Sequence, residues 1–520
     1  MNPTLLHHSR RYAAPLFAAL TFFTAMHAGA AVRLPHVIAS DMVLQRDVPV
    51  PIWGWAEPGE KVTCEMGQAK ATAVANAQGE WLVKLPAMPT GGPLEMEVRG
   101  QNTLKLTGIL VGEVWLCSGQ SNMEMGVAMS KNAKTEVAAA DHPQIRLFLV
   151  PKKTSGQPLN DVEATWRVCS PATIAQGGWN GFSAAAYYFG RELQQTLKVP
   201  VGLIESSWGG TRIEPWTPPA GFAAVPALKA VGDKVEQANG AYTKAMTAAL
   251  EQTEAAVRAA RKALADGKPI PPIPTPNVRH SLERNTDPTS LYNAMIHPLV
   301  PFAIRGAIWY QGESNNGEGM LYFEKMKALI GGWRQVWKQG DFPFYYVQIA
   351  PYKYGIAPTQ LPAIWNAQLA ALSIPNTGMA VTTDIATLND IHPPNKQEVG
   401  HRLALWALAK TYGKKEYVCS GPLYKGMKID GGKIVVSFDH VGTGLDASDD
   451  MDLTHFEIAG EDGKFVSAKA TMEGERVVVS AEAVPAPANV RFGWDQLAQP
   501  NLANKEGFPA SPFNTAELPH

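Results

Sequence analysis

Glu113-Val-Trp-Leu-Cys117, continuing without a break into Ser118-Gly-Gln-Ser121-Asn-Met123, is the stretch that decides the fold of this chain. Val114 to Cys117 form a short apolar run that stops at a glycine and polar residues, which reads as a strand covered on both faces. Val201–Glu205, Ala307–Tyr310, Phe344–Ile349 and Gly378–Thr382 have the same character. Helical periodicity fills the gaps at Ser183–Thr196, Met320–Trp337, Pro362–Ser373 and Asn395–Tyr412. The last is the clearest, because Asn395-Lys-Gln-Glu398 resembles a capping box and Val399, Leu403, Trp406 and Leu408 supply an apolar stripe. Strands alternating with helices predict an α/β fold over residues 108–415, a three-layer sandwich built on a parallel sheet.

On either side the rhythm is that of short strands. Between residues 31 and 107, Val48–Trp55, Lys61–Glu65, Glu80–Leu85 and Leu94–Val98 are punctuated by Pro58-Gly59, Gln78-Gly79 and Gly91-Gly92-Pro93, which predicts a small antiparallel sandwich. Residues 416–520 predict a second β-rich module, with strands at Lys433–Phe438, His455–Ala459, Val466–Thr471 and Arg476–Ser480. Residues 223–276 interrupt the α/β alternation. Their Ala-rich part predicts an inserted helical hairpin broken near Asn239-Gly240, and the Pro-rich Lys268–Pro276 cannot continue a helix.

At 520 residues, with 45% hydrophobic and 18% charged, the chain has material for several cores. A formal charge of -1 and the lack of a basic tract exclude nucleic acid as the expected partner. Arg10-Arg11, the apolar run Tyr12–Phe23 and Ala28-Gly29-Ala30 predict a signal peptide over residues 1–30, hence export to the periplasm or beyond. That run is too short to span a bilayer, so no membrane insertion is expected. Four cysteines, Cys64, Cys117, Cys169 and Cys419, are too few for a disulfide scaffold, and their pairing stays open. Neither C-x-x-C nor H-E-x-x-H occurs, so neither a metal nor a cofactor is expected.

Reactive groups in open α/β sheets gather beyond the carboxyl ends of the strands. Four such ends are rich in polar groups: Ser118–Met123, Ser206–Arg212, Gln311–Asn315, and Thr383-Asp384 with Asn389–Pro394. Acyl transfer needs a hydroxyl, a base, a group that orients the base, and donors for the oxyanion. Ser121, following a strand and a glycine, is the candidate nucleophile. His392 is the candidate base, since two prolines after it hold the chain extended. Residues i and i+2 of an extended segment face the same way, about 6.5–7 Å apart at Cα, so Asp390 is the candidate orienting acid, with Asp384 in reserve. The N–H groups of Ser121 and of Gly209 or Gly210, and the Gln311 amide, are candidate oxyanion donors; losing one typically costs on the order of 10²–10³ in rate. Trp208, Trp309 and Tyr310 are candidates to enclose a substrate and Arg212 to meet an acidic group; Gln120, Asn122 and Glu313 are further substrate-binding candidates, with Glu313 alternatively a support that pins Gln120 or neutralises Arg212.

Together these segments resemble the sialate O-acetylesterase family of SGNH-type serine hydrolases. The motifs stand at Gly119–Met123, Ser207–Thr211, Trp309–Asn315 and Asp390–Lys396, and the Pro500–Phe513 tail matches too. The resemblance implies an SGNH/flavodoxin-like catalytic layer and an esterase that removes acetyl groups from sugar hydroxyls without a cofactor. It carries the nucleophile onto Ser121 and the base onto His392. Many SGNH relatives separate the acid from the histidine by three positions, where this chain has Asn389, and many use an Asn where it has Gln311. Members also act on acetylated plant polysaccharides such as xylan. A non-catalytic carbohydrate-binding protein is the alternative from another class, while a lipase reading lacks a G-x-S-x-G elbow.

Overall fold

The computed structural model describes residues 31–355 and 357–518; the expected signal peptide lies outside the described residues. Its central sheet contains β1 (Thr103–Gly119), β2 (His142–Leu149), β3 (Trp166–Cys169), β4 (Val201–Ser207), β5 (Gly306–Tyr310), β6 (Phe344–Val347) and β7 (Thr377–Ala380). They lie in the order β7-β6-β5-β1-β4-β2-β3. All neighbours are parallel except β2 and β3. The five strands expected from their apolar runs are therefore present. The edge pair β2 and β3 is additional.

Strand order reverses at β1, which has β4 on one side and β5 on the other. Register brings Gly119 level with Ser207 and with Tyr310, so three strands end side by side. The loops leaving these three strands therefore open into one crevice. Gly119 is required here: φ is +146° and a Cβ would lie 2.1 Å from the Tyr310 carbonyl oxygen.

The covering layers come from alternation along the strands. Phe344 meets Trp333 of the helix Leu321–Trp337, whereas the next residue, Tyr345, meets Trp406 of the helix Lys396–Trp406, so the two helices lie on opposite faces. Here α1 is Ser121–Glu124, α2 Ala184–Leu197, α3 Lys229–Ala265, α4 Leu321–Trp337, α5 Gln360–Ala370 and α6 Lys396–Trp406. The Asn395 side chain caps α6 by accepting from the Glu398 N–H at 3.3 Å.

The flanking modules are β-rich, as expected. Gly91–Arg99 pairs with the first half of β1 and with Lys61–Met66, while Val50–Trp55 pairs with Glu80–Leu85. β1 itself is one continuous strand of 17 residues, so no linker separates the N-terminal sandwich from the α/β layer. At the other end, Leu423–Asp430, Lys433–Asp439, Arg476–Ser480 and Lys469–Glu473 form a four-stranded sheet. The tail ties back to the centre through Gln348 Nε2, which donates to Ser511 Oγ at 2.9 Å.

One expectation fails in the insertion. The segment is not a hairpin: α3 is a single helix of 37 residues that runs straight through Asn239-Gly240. A helix-interior glycine costs only about 1 kcal/mol. Asn239 meanwhile accepts a hydrogen bond from Gln157 Nε2 at 3.3 Å and lies 3.1 Å from His280 Nε2, which anchors that turn. The helix ends where expected, at Asp266 and the positive-φ Gly267.

Cys64, Cys117, Cys169 and Cys419 are all unpaired and buried. Burial pushes the Cys64 and Cys169 thiols up to about 12 and that of Cys419 up to about 11. Titration with a thiol reagent is expected to find almost no reactive sulfur in the native protein and all four after unfolding. Reducing agent should leave the thermal midpoint unchanged; a drop on reduction contradicts this arrangement.

Candidate active site

The turn after β1 places Ser121 at the head of α1, and the loop after β7 brings back His392. Ser121 Oγ and His392 Nε2 are 2.9 Å apart, a hydrogen bond between residues 271 positions apart in sequence. The imidazole packs edge-on against Trp179, with ring centroids 4.8 Å apart at 81°. Partial burial and the nearby Lys396 cation both lower the His392 pKa from 6.5, while Asp390 opposes them weakly. The ring is therefore neutral at neutral pH, with a lone pair to offer the hydroxyl.

Asp390 sits beside His392 but holds it in an unexpected way. Its carboxylate accepts the backbone N–H of His392 at 2.9 Å, whereas the separation from Nδ1 is 3.9 Å. That is an ion-pair distance, longer than a hydrogen bond. Asp384 is elsewhere: it makes a bidentate pair with Arg402 at 2.7 and 2.6 Å. The reserve candidate is thereby removed.

Of the expected oxyanion donors, the Ser121 N–H has no hydrogen-bond partner among the described residues. Trp208 N donates to the Gly119 carbonyl at 3.1 Å, which docks the second loop beside the first. A Cβ on Gly209 would stand 3.2 Å from the Ser121 Cβ, so this backbone passes directly against the serine. The Gly209 N–H is already used, donating to Glu124 Oε2 at 2.6 Å, and Glu124 is in turn paired with Lys152 at 2.6 Å. Gly210, with φ +75°, has a free N–H among the described residues. Of the two glycines left open by the sequence, Gly210 is the one whose N–H is not already engaged among the described residues.

Gln311 is a correction. It is fully buried, and its Nε2 is spent on Gln120 Oε1 (3.0 Å), the Thr211 carbonyl (3.2 Å) and Asn315 Oδ1 (2.8 Å). Tyr322 OH donates to its Oε1 at 2.8 Å. No donor is left for an oxyanion, and Gln311 instead ties three loops together. Gln120, buried as well, uses Oε1 to accept from Gln311 and Ser314.

Three further expectations change. Trp309 is 1% exposed, wedged edge-on against Trp216 and Trp333, and Tyr310 is fully buried; neither can stack on a sugar. Strands covered on both faces bury aromatics of either parity, which is why these two read as site residues without being so. Asn122 and Glu313 are buried too, and bonded to each other at 2.5 Å, so they support the site from below without contacting substrate. Arg212 is not neutralised by Glu313. It pairs with Glu318 and Glu214, two carboxylates that also share the buried Lys325, so its charge is balanced.

Trp208 remains half-buried with the Lys152 ammonium 5.7 Å from its ring centroid. Trp179 is half-buried on the histidine side. Sequence reading missed Trp179, Glu124, Lys152 and Lys396. The run Gln176-Gly-Gly-Trp-Asn-Gly181 did mark a tight turn presenting an aromatic. A lysine in the first turn of a helix gave no sign that it would be buried.

Set beside known proteins, the chain matches the family model described as carbohydrate esterase, sialic acid-specific acetylesterase, over residues 111–264 and 260–409. The sialate O-acetylesterase of Rattus norvegicus is 34% identical over 446 residues, 77% of this chain and 78% of that protein. The Homo sapiens sialate O-acetylesterase is 33% identical over 431 residues, 76% of this chain and 74% of its own. A crystal structure described as a novel carbohydrate acetylesterase from Xanthomonas citri superposes with a TM-score of 0.78 at 36% identity, covering 93% of this chain and 99% of that one. A hydrogen-bonded Ser–His couple at the mouth of a doubly covered parallel sheet, found within motifs shared at this level, makes the chain a carboxylic ester hydrolase belonging to the sialic acid-specific acetylesterase family of carbohydrate esterases.

Proposed function

We propose that Ser121 is the nucleophile of a carbohydrate O-acetylesterase and His392 its general base. The observation that carries this reading is the 2.9 Å contact between Oγ and Nε2 at the point where strand order reverses. Ser121 Oγ attacks the acetyl carbonyl as its proton passes to Nε2. Charge then collects on the carbonyl oxygen, for which the N–H groups of Ser121 and Gly210 are the available donors. Collapse of the tetrahedral intermediate breaks the bond to the sugar oxygen, which takes the proton from His392. Water repeats the sequence on the acetyl-enzyme and releases acetate.

Trp208 and Trp179 are positioned to flank the sugar. The names of the mammalian relatives favour O-acetylated sialic acid as substrate. A neutral acetylated polysaccharide such as xylan is the second reading. One observation favours it: Arg212, the cation expected to meet a carboxylate, is already balanced by Glu214 and Glu318. Export completes the proposal, resting on the sequence of residues 1–30.

Ser121→Ala and His392→Ala are each expected to cut p-nitrophenyl acetate hydrolysis by at least about 10³-fold, the scale seen when members of such a unit are removed. Retained turnover in Ser121→Ala refutes the nucleophile. Assayed against O-acetylated sialic acid and acetylated xylo-oligosaccharides, the wild type should prefer the former by kcat/KM; the reverse order assigns the neutral sugar.

Because His392 must be neutral to act as base and its pKa is lowered, kcat/KM should hold its plateau above neutrality and fall only as pH drops below 6.5. An acid limb with its midpoint above 6.5 contradicts the environment described. Asp390→Asn keeps an acceptor for the His392 N–H and removes the charge, whereas Asp390→Ala removes both. If Asp390 acts through the main chain, Ala is the more damaging; equal losses show that the charge matters.

A further inference from the structure

The base in this site is held at its backbone, and the residue holding the far side of that backbone is the neighbour of the nucleophile. The peptide unit between Ile391 and His392 is clamped at both ends. Its N–H donates to Asp390 Oδ1 at 2.9 Å, and its carbonyl accepts from Asn122 Nδ2 at 3.0 Å. Asn122 also donates to Glu313 Oε1 at 2.5 Å, and its Oδ1 accepts from Lys396 Nζ at 2.5 Å. Both amide protons and the amide oxygen are thereby committed, which fixes the plane of the side chain and prevents a flip. Asn122, Glu313 and Lys396 are 1%, 8% and 0% exposed, so these bonds do not compete with solvent.

Burial penalises the charged forms of Glu313 and Lys396, and their hydrogen bonds to Asn122 offset that cost. That penalty raises the Glu313 pKa and lowers that of Lys396 to about 7, and the attraction between the two opposes both shifts. The Lys396 ammonium also lies 5.0 Å from the centroid of the Tyr310 ring, which offers it an aromatic face. Asn122 is a neutral amide between them, giving a proton to the acid and a lone pair to the base. An ionised aspartate at this position has no proton to give, and alanine has neither donor nor acceptor.

We propose that Asn122, locked by Glu313 and Lys396, is a positioning residue that sets the Ser121–His392 distance by clamping the Ile391–His392 peptide to the turn that carries the nucleophile. Three loops thus converge on one amide: the turn after β1 supplies Asn122, the loop after β5 supplies Glu313, and the start of α6 supplies Lys396. The device replaces ring anchoring, since Asp390 stands 3.9 Å from Nδ1. It rests on the assignment of Ser121 and His392 as nucleophile and base.

The test is Asn122→Asp, which preserves size and an oxygen for Lys396 but has no donor for the Ile391 carbonyl, with Asn122→Ala beside it. A displacement of about 1 Å at reacting atoms costs about 10²-fold. Both variants are therefore expected to lose about 10- to 100-fold in kcat on p-nitrophenyl acetate, with KM within about twofold of wild type. Far-UV circular dichroism and the thermal midpoint report whether each variant is folded. Lys396→Met supplies an independent arm. The Lys396 cation helps hold the His392 pKa down, so its removal should move the acid limb of kcat/KM to higher pH. A folded Asn122→Asp protein with unchanged kcat, or one whose loss lies in KM, overturns the proposal, as does an unmoved acid limb in folded Lys396→Met. Ser121→Ala in the same assay separates the two levels: activity surviving there removes the nucleophile assignment, while full kcat in Asn122→Asp with Ser121→Ala inactive removes only the positioning role.

Discussion

A hydrogen bond of 2.9 Å between residues 271 positions apart is the contact on which the proposed chemistry depends, and most of the fold can be read as the means of making it. A serine hydroxyl is a weak nucleophile unless a base stands within hydrogen-bond reach, and a separation in error by about 1 Å loses most of the advantage. Loops alone hold no such tolerance. The solution is to hang both residues on strands whose registers are fixed by a parallel ladder, β1 for the serine and β7 for the loop returning the histidine. Long β1 also ties the N-terminal sandwich to the same frame, so Ser121 stands just past the end of a strand braced by two modules.

Around this contact the buried polar groups divide by task. Gln311, Gln120 and Asn315 knit the loops after β1, β4 and β5; Asn122, Glu313 and Lys396 join the first of these to the histidine loop. Burial makes each unmade bond expensive, which gives these networks their authority over loop position. The Ser121 and Gly210 N–H groups keep no partner among the described residues, which is why they are the donors proposed for the oxyanion.

The sequence was informative where residue type and local period carry the signal. Short apolar runs located five strands of the sheet, and polar residues clustered beyond them pointed to Ser121 and His392. The edge pair β2 and β3 escaped because His142-Pro-Gln opens one and the other is only four residues long. Gly240 suggested a break, yet a helix interior absorbs a single glycine at modest cost. Errors in the site share one cause: position beyond a strand end says that a residue is near the crevice, not whether its polar atoms are already spent. Gln311 is close by and wholly engaged; Trp309 is a strand residue in a sheet with no solvent face. Lys396 was invisible because lysine at a helix start ordinarily points to water, and only tertiary packing sealed it beneath Asn122.

The central claim is that Ser121 carries the acetyl group between sugar and water. Rapid mixing with p-nitrophenyl acetate, acid quench and peptide mapping by mass spectrometry test it most directly. A burst of p-nitrophenol and a single acetyl adduct on the peptide containing Ser121 are the predicted result. An adduct on another residue, formed and discharged at the rate of turnover, would contradict it.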